Sequence, residues 1–397
     1  MIQELCPNGV EFKKIKEVYQ RLKGTPITAS KMKEIENPQG EIRIFAGGKT
    51  VINAKEIDIP NANITRVPAV LVQSRGVIDA VYYDKPFTFK NEMWAYTTEN
   101  PVSVKFLYYV LKNNMEYFRS AAAGMGSLPQ ISLPVTEDFE IPLPPIEVQR
   151  EIVRILDTFT ELAAELAAEL AARKQQYAYY RDNLLTFRVD ITRKSLDELC
   201  TISAAGDAPK DALSLTKTAE YQIPVISNGI GENAFYGYTD KPKITEPAVT
   251  VAARGTIGYA EYRDYPYYPI IRLLSVIPKN TAVLATKYLY YCMQGKKYNV
   301  PLGGIPQLTA PELKKVVIPV PPLPVQQRIV TVLDNFDAIC SDLNIGLPAE
   351  IEARKKQYEF YRDQLLTFAV QDEIVLTDRQ TDRQTDRQTD RQTSITR

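Results

Sequence analysis

Whatever chemistry this chain performs, it performs without histidine, which is absent from all 397 residues. That removes the commonest general base, the usual imidazole metal ligand and every Ser-His or Cys-His nucleophile pair. The four cysteines, Cys6, Cys200, Cys292 and Cys340, are far apart and lack CxxC spacing. Such spacing suggests neither a zinc ribbon nor a disulfide framework, and they are read as reduced, partly buried thiols. There is no GxxxxGK(S/T) phosphate loop, no Asn-Pro-Pro-Tyr-type adenine-methyltransferase motif and no nuclease-like carboxylate cluster, and Ala46-Gly-Gly48 is too short a glycine run for a cofactor loop. No metal or cofactor is expected on this chain. Without histidine most hydrolase mechanisms lose their first candidate, and the candidate binding residues weighed below are Lys, Arg, Asn and Thr side chains.

The elements that must position those side chains come in duplicate. Ile141-Pro-Leu-Pro-Pro-Ile-Glu-Val-Gln149, with Ile152, Val153, Leu156, Asp157 and Phe159, returns as Ile318-Pro-Val-Pro-Pro-Leu-Pro-Val-Gln326 with Ile329, Val330, Leu333, Asp334 and Phe336. Ala172-Arg-Lys-Gln-Gln-Tyr-Ala-Tyr-Tyr-Arg-Asp-Asn-Leu-Leu-Thr-Phe187 returns as Ala353-Arg-Lys-Lys-Gln-Tyr-Glu-Phe-Tyr-Arg-Asp-Gln-Leu-Leu-Thr-Phe368. The Pro-rich start of each copy cannot be helix interior and suits an extended lead-in. From Ile146 to Phe187 there is no Gly or Pro, and apolar residues recur at three- and four-residue spacing. One helix of about 42 residues, roughly 60 Å long, is expected there. The second copy is interrupted at Asn344-Ile-Gly-Leu-Pro348, where Gly346 suits the end of one helix and Pro348 the first turn of the next. Long helices with an apolar stripe need partners, so the two are expected to pair, and an antiparallel pair would set the intervening domains at opposite ends of a rod.

Those intervening domains also align. Pro68-Ala-Val70 and Arg75-Gly76 match Pro247-Ala-Val249 and Arg254-Gly255, and Leu128-Pro-Gln-Ile131 matches Ile305-Pro-Gln-Leu308. Short apolar runs at 42–45, 69–72, 80–83, 223–226, 249–251 and 273–277 read as strands, and 104–118 and 287–293 as helices. The expected fold is therefore mixed α/β (α+β). Two similar domains, 1–140 and 188–317, alternate with helical regions at 141–187 and 318–370, in an internal pseudo-twofold repeat. Overall charge is zero, with 48 basic and 48 acidic residues, but residues 1–140 carry 17 basic against 16 acidic and residues 188–317 carry 16 against 12. The domains are thus mildly basic relative to the helices. No apolar run reaches the length of a membrane span, and a cytoplasmic location is expected.

With these lead-ins, the two ARKxQYxxYRDxLLTF segments, the opening Cys6-Pro-Asn-Gly-Val-Glu-Phe12 and the Gly346-Leu-Pro-Ala-Glu350 turn, the chain resembles the DNA-specificity subunit of type I restriction-modification enzymes. The resemblance covers about residues 1–376. It implies two target-recognition domains, each reading one half of a bipartite asymmetric sequence in double-stranded DNA, held apart by two antiparallel coiled-coil helical regions. It also implies two modification (methyltransferase) subunits and a restriction/translocase subunit as partners, with S-adenosylmethionine, ATP and Mg on those partners, and a chain that is itself non-catalytic. Other readings of the same modules are an adaptor for a stand-alone methyltransferase and a structural spacer binding protein.

On this reading, side chains that bond base edges choose the sequence, and Lys and Arg on phosphates supply affinity. Arg75 and Arg254 occupy matching positions in domains that should prefer different bases, so a shared role, phosphate contact or loop structure, is expected of them. Base readers are sought where the domains disagree: Lys31, Lys33, Arg43, Lys49 and Thr50 in the first, and Lys210, Lys217, Asn228, Lys241 and Lys243 in the second. Three tandem Glu-Leu-Ala-Ala units fill 161–172, and the offset between copies changes from 177 before this tract to 181 after it, a difference of one unit. The tract therefore reads as an adjustable ruler, an idea that the resemblance also carries. The tail repeats Thr-Asp-Arg-Gln four times from Thr377. It has no apolar face, is expected to be disordered, and is compatible with a tetranucleotide tract whose slippage would switch the C-terminus.

Overall fold

The computed structural model describes residues 6–7, 9–122, 128–187, 191–298, 306–342 and 344–368. The Thr-Asp-Arg-Gln tail, with the disorder expected of it, lies outside the described residues. The chain gathers into two compact units, Met1–Glu165 with Glu352–Arg397, and Leu166–Ile351.

In the first unit a four-stranded antiparallel sheet runs in the order Gln20–Leu22, Trp94–Thr97, Ala69–Gln73, Asp79–Tyr83. Ala69–Gln73 is buried along its whole length, as a central strand covered on both faces must be. Helix Pro101–Asn113 covers the sheet. Pro101 opens it, and the Asn100 side chain accepts the Val102 N–H at 2.9 Å, satisfying one of the free first-turn donors. Phe106, Leu107 and Val110 on its inner face are buried, each contributing roughly 1.5–3 kcal/mol by leaving water. A second sheet, Val51–Ala54, Ile42–Phe45, Phe87–Phe89, carries the alternation expected of a half-covered strand: Ile42 and Ile44 are buried and Arg43 is exposed.

The second unit repeats this topology. Cys200–Ala204, Leu273–Pro278, Ala248–Ala252 and Ala260–Arg263 form its larger sheet, and Phe235–Thr239, Ile223–Ile226 and Tyr268–Pro269 its smaller one. The registers correspond: Val70 faces Tyr96 as Val249 faces Val276, and Phe45 pairs in parallel with Phe89 as Ile226 does with Pro269. Every apolar run read as a strand is one. The helical stretch expected at 104–118 is two helices, Pro101–Asn113 and Met115–Ala121, divided at Asn114, whose side-chain amide donates to the Val110 carbonyl at 2.8 Å. All four cysteines are free.

The first helical region is a single 40-residue helix, Ile146–Leu185. The second is two, Leu323–Ser341 and Leu347–Leu366. Gly346 differs from its expected role. Its φ is not positive, so it does not close a helix in the left-handed conformation, and the turn is made instead by Asp342, whose carboxylate accepts the Asn344 N–H at 2.7 Å. Glycine is needed there for space, because a Cβ would lie 2.5 Å from the Ala338 carbonyl oxygen. In the first unit Phe159 stacks on Tyr361 with ring centroids 5.5 Å apart, and in the second Tyr180 stacks on Phe336 at 5.3 Å, both at 27° between planes. Each unit thus contains its own antiparallel helix pair, built from equivalent residues. Among the described residues no helix is long and apolar enough to cross a membrane.

Candidate nucleic-acid interface

Strand Ile42–Phe45 runs into Ala46-Gly-Gly-Lys-Thr50, a loop closed by the Ala46 N–H donating to the Thr50 carbonyl at 3.0 Å. Gly48, at φ +73°, donates its N–H to the Arg75 carbonyl at 3.2 Å, and Gly76, at φ +79°, donates to the Pro129 carbonyl at 2.8 Å. Glycine suits both positions because L side chains rarely adopt this backbone. The Glu92 carboxylate accepts the Gly47 N–H at 3.3 Å and pairs with Lys90 at 2.9 Å. Lys49, Thr50 and Arg75, all exposed, are thereby brought onto one pair of turns.

The second domain makes the same arrangement with different atoms. Ile223–Ile226 runs into Ser227-Asn-Gly, and Ser227 N–H donates to the Ala234 carbonyl at 2.7 Å. Where Gly48 uses its main chain, Asn228 uses its side-chain amide, donating to the Arg254 carbonyl at 2.7 Å. Leu308 N–H donates to the Ala253 carbonyl at 2.8 Å, and Gly255 has φ +75°. The main chain at Arg75 and Arg254 therefore anchors the loop in both domains. Asn228 and Arg254 are brought together.

The remaining sequence-derived residues sit on other elements. Lys31 and Lys33 are on helix Ala29–Ile35, where Lys31 is paired with Glu34 at 2.7 Å and Lys33 is exposed. Arg43 lies with its guanidinium 5.5 Å from the Tyr83 ring centre. Lys210 and Lys217 are exposed on the irregular segment before Ile223–Ile226, and Lys217 lines an open cavity of about 580 Å³ with Phe235, Tyr238, Arg263 and Tyr265. Lys241 and Lys243 flank Pro242 between Phe235–Thr239 and Ala248–Ala252, with the Lys243 ammonium 5.9 Å from the Tyr268 ring.

Sequence reasoning passed over the groups that fasten each domain to its helix. Asp157 accepts the Tyr109 hydroxyl at 2.5 Å and the Lys105 ammonium at 2.8 Å, and Lys105 lies 5.1 Å from the Tyr82 ring. In the second unit Asp334 accepts Tyr291, pairs with Lys287 at 2.9 Å, and Lys287 lies 5.6 Å from the Tyr262 ring. Burial first, and then the neighbouring carboxylate, hold the Tyr109 and Tyr291 hydroxyls well above the usual tyrosine range. The visible signal was the repeat of Asp157 as Asp334. No cluster of His, Cys, Asp or Glu fit to hold a metal ion occurs among the described residues.

The profile of the type I restriction modification DNA specificity domain matches residues 7–172 and again 188–353. The chain belongs to this family. A type I specificity subunit of Mycoplasma pneumoniae is 29% identical over 375 residues, which is 91% of this chain and 98% of that one, and another from the same organism is 34% identical over 283 residues, 67% and 83%. The crystal structure of a type I restriction-modification S subunit from M. genitalium has the same fold, with a TM-score of 0.57 at 16% identity over 90% of this chain and 95% of that one. Both copies of the specificity domain include one pair of loop turns and one latch to a helix. DNA recognition is the task of this family, and the two copies of its domain here have one scaffold and unlike loops.

Proposed function

We propose that this chain is the non-catalytic DNA-reading subunit of a type I restriction-modification complex. Its two domains each read one half of a bipartite, asymmetric sequence in double-stranded DNA. The observation that carries this reading is the duplicated loop pair. The backbone of Arg75 and of Arg254 is held in the same way, while the loop resting on it presents Gly48, Lys49 and Thr50 in one domain and Asn228 in the other. A common scaffold with divergent exposed polar groups is what reading two different half-sites requires.

The helical regions supply the partners' surface in this reading. Tyr179 and Phe360, at equivalent positions, are 65% and 57% exposed and each packs edge-on against the next aromatic ring at 74°. Two equal aromatic steps suit two copies of one partner, the modification subunit, with a translocating restriction subunit joining them. S-adenosylmethionine, ATP and Mg would be bound by those subunits. The Glu-Leu-Ala-Ala tract then sets the distance between the half-sites.

Methylation-aware sequencing of DNA from cells carrying this gene with its modification partner tests the proposal. A single two-part motif with a fixed gap is expected. An undivided motif, or no motif dependent on this gene, would refute it.

A further inference from the structure

The turn following the parallel strand of each smaller sheet reaches the same place with opposite charge. Lys90 and Ile270 donate their N–H groups to the Phe45 and Ile226 carbonyls at 2.9 and 2.8 Å. Two residues on stand Glu92 and Arg272, equivalent positions whose carbonyls are both held by the residue preceding the arginine of the loop pair. Ser74 Oγ donates to Glu92, and Ala253 N–H donates to Arg272 at 2.9 Å. Glu92 is turned to internal use, bonding Gly47 and Lys90. In the second domain Asn228 secures the loop with its own side chain, so no carboxylate is needed. Arg272 is exposed, and its guanidinium has no hydrogen bond or ion pair among the described residues.

The backbone around Arg272 departs from the shared scaffold. Ile271 and Arg272 have φ of +34° and +59°, whereas Asn91 and Glu92 do not have positive φ. A β-branched residue rarely adopts that conformation, and it persists only where its surroundings enforce it. Here Ile271 N–H donates to the Gly206 carbonyl at 2.9 Å, and the Ala253 bond fixes the next residue. Arg272, its guanidinium unpaired among the described residues, thus stands on a strained turn whose backbone bonds to Gly206 and to Ala253, the neighbour of Arg254.

We propose that Arg272 reads a guanine in the half-site of the second domain. This rests on the DNA-recognition reading above. A phosphate clamp common to both domains would carry the same sign in both, and the first domain has Glu92 at this place. A position where the charge reverses on a common scaffold is one where the targets differ. The planar guanidinium fork presents two N–H donors in a fixed geometry that matches the O6 and N7 acceptors of guanine.

The test compares wild type with Arg272→Gly and Arg272→Lys in the full chain co-expressed with its modification subunits, reading the methylated motif. Glycine tolerates the positive φ, so Arg272→Gly removes the side chain while relieving the backbone, and its melting midpoint should be no lower than that of wild type. Arg272→Gly should relax one base position in the second half-site, with discrimination there falling about tenfold or more, Arg272→Lys, whose ammonium still donates to O6 and N7, should keep the preference for the same base, and both should leave the first half unchanged. If wild type gives a motif and Arg272→Gly keeps it, or weakens methylation uniformly, the proposal is overturned. A relaxed position that is not a guanine in the wild-type motif would overturn it too. A wild type without any motif would instead bring down the DNA-recognition reading on which it rests.

Discussion

Asp157 and Asp334 each take a tyrosine hydroxyl and a lysine ammonium from the helix that covers their domain's larger sheet. The Asp157 side chain is one-quarter exposed, so the Tyr109 hydroxyl depends on it as an acceptor more than on water. Asp157→Ala should cost about 1–3 kcal/mol in urea unfolding, because a part-buried donor loses its partner. Asp157→Asn, which keeps an acceptor for Tyr109 and loses the ion pair, should cost less. Equal stability of the alanine variant and wild type would show that the latch is unimportant. The sequence displayed both aspartates as a repeat, yet nothing in it identified Tyr109, 48 residues away, as the partner. The same limit applies to the loops. Lys49, Thr50, Arg75, Asn228 and Arg254, singled out by charge and offset, share the loop pairs, while Glu92 and Arg272 were not singled out, because only the parallel strand pairing carries them to the loop.

The helical elements follow the spacing of their apolar residues: Val148, Ile152 and Leu156 are buried at four-residue intervals in the helix that runs to Leu185. The interruption of the second copy was legible from Asn344 to Pro348, but the reason for its glycine was not, since close approach leaves no mark in a sequence. Gly346→Ala should destabilise the chain by about 1–3 kcal/mol through overpacking against Ala338, with a change in melting midpoint as the measure. In the Glu-Leu-Ala-Ala tract Leu166 is buried, Leu162 and Leu170 are half-buried and the alanines and glutamates are exposed. The division between the compact units falls within it, at Glu165 and Leu166. Removing one unit, Glu165–Ala168, shortens the helix by about 6 Å and rotates its C-terminal half by a net of about 40°, which preserves the leucine stripe. The gap in the methylated motif should shrink by one or two base pairs at about 3.4 Å each, with both half-sites unchanged. An unaltered gap would dismiss the ruler.

At the scale of the whole molecule, both units bury tyrosines. Burial raises Tyr19, Tyr96 and Tyr109 in the first unit and pushes Tyr177, Tyr267 and Tyr298 in the second up to about 12. A proton held more tightly in the folded chain than in the unfolded one contributes stability below the ordinary tyrosine value of about 10, and that stability is lost as pH rises through the folded values. Urea midpoints should therefore decline from pH about 10 to pH about 12, and a flat profile would contradict this. The two units also invite exchange. Glu11–Lys14 pairs antiparallel with Glu140–Leu143, Glu11 facing Leu143, so the first domain begins and ends side by side; Arg193–Ser195 and Val317–Pro319 close the second in the same way. A domain tied at one place can be replaced without redirecting the helix it leaves. Its further obligations are to the latch and to the apolar cluster shared with Val148, Ile152 and Leu156, so a donor domain must bring a tyrosine and a lysine equivalent to Tyr109 and Lys105 and apolar residues equivalent to Phe106 and Leu107. Substituting residues 1–140 by such a domain from another family member should change one half of the methylated motif and leave the other half and the gap as they were. If both halves changed, recognition would depend on the two domains acting jointly, and the likeness of their loop pairs would reflect common folding alone.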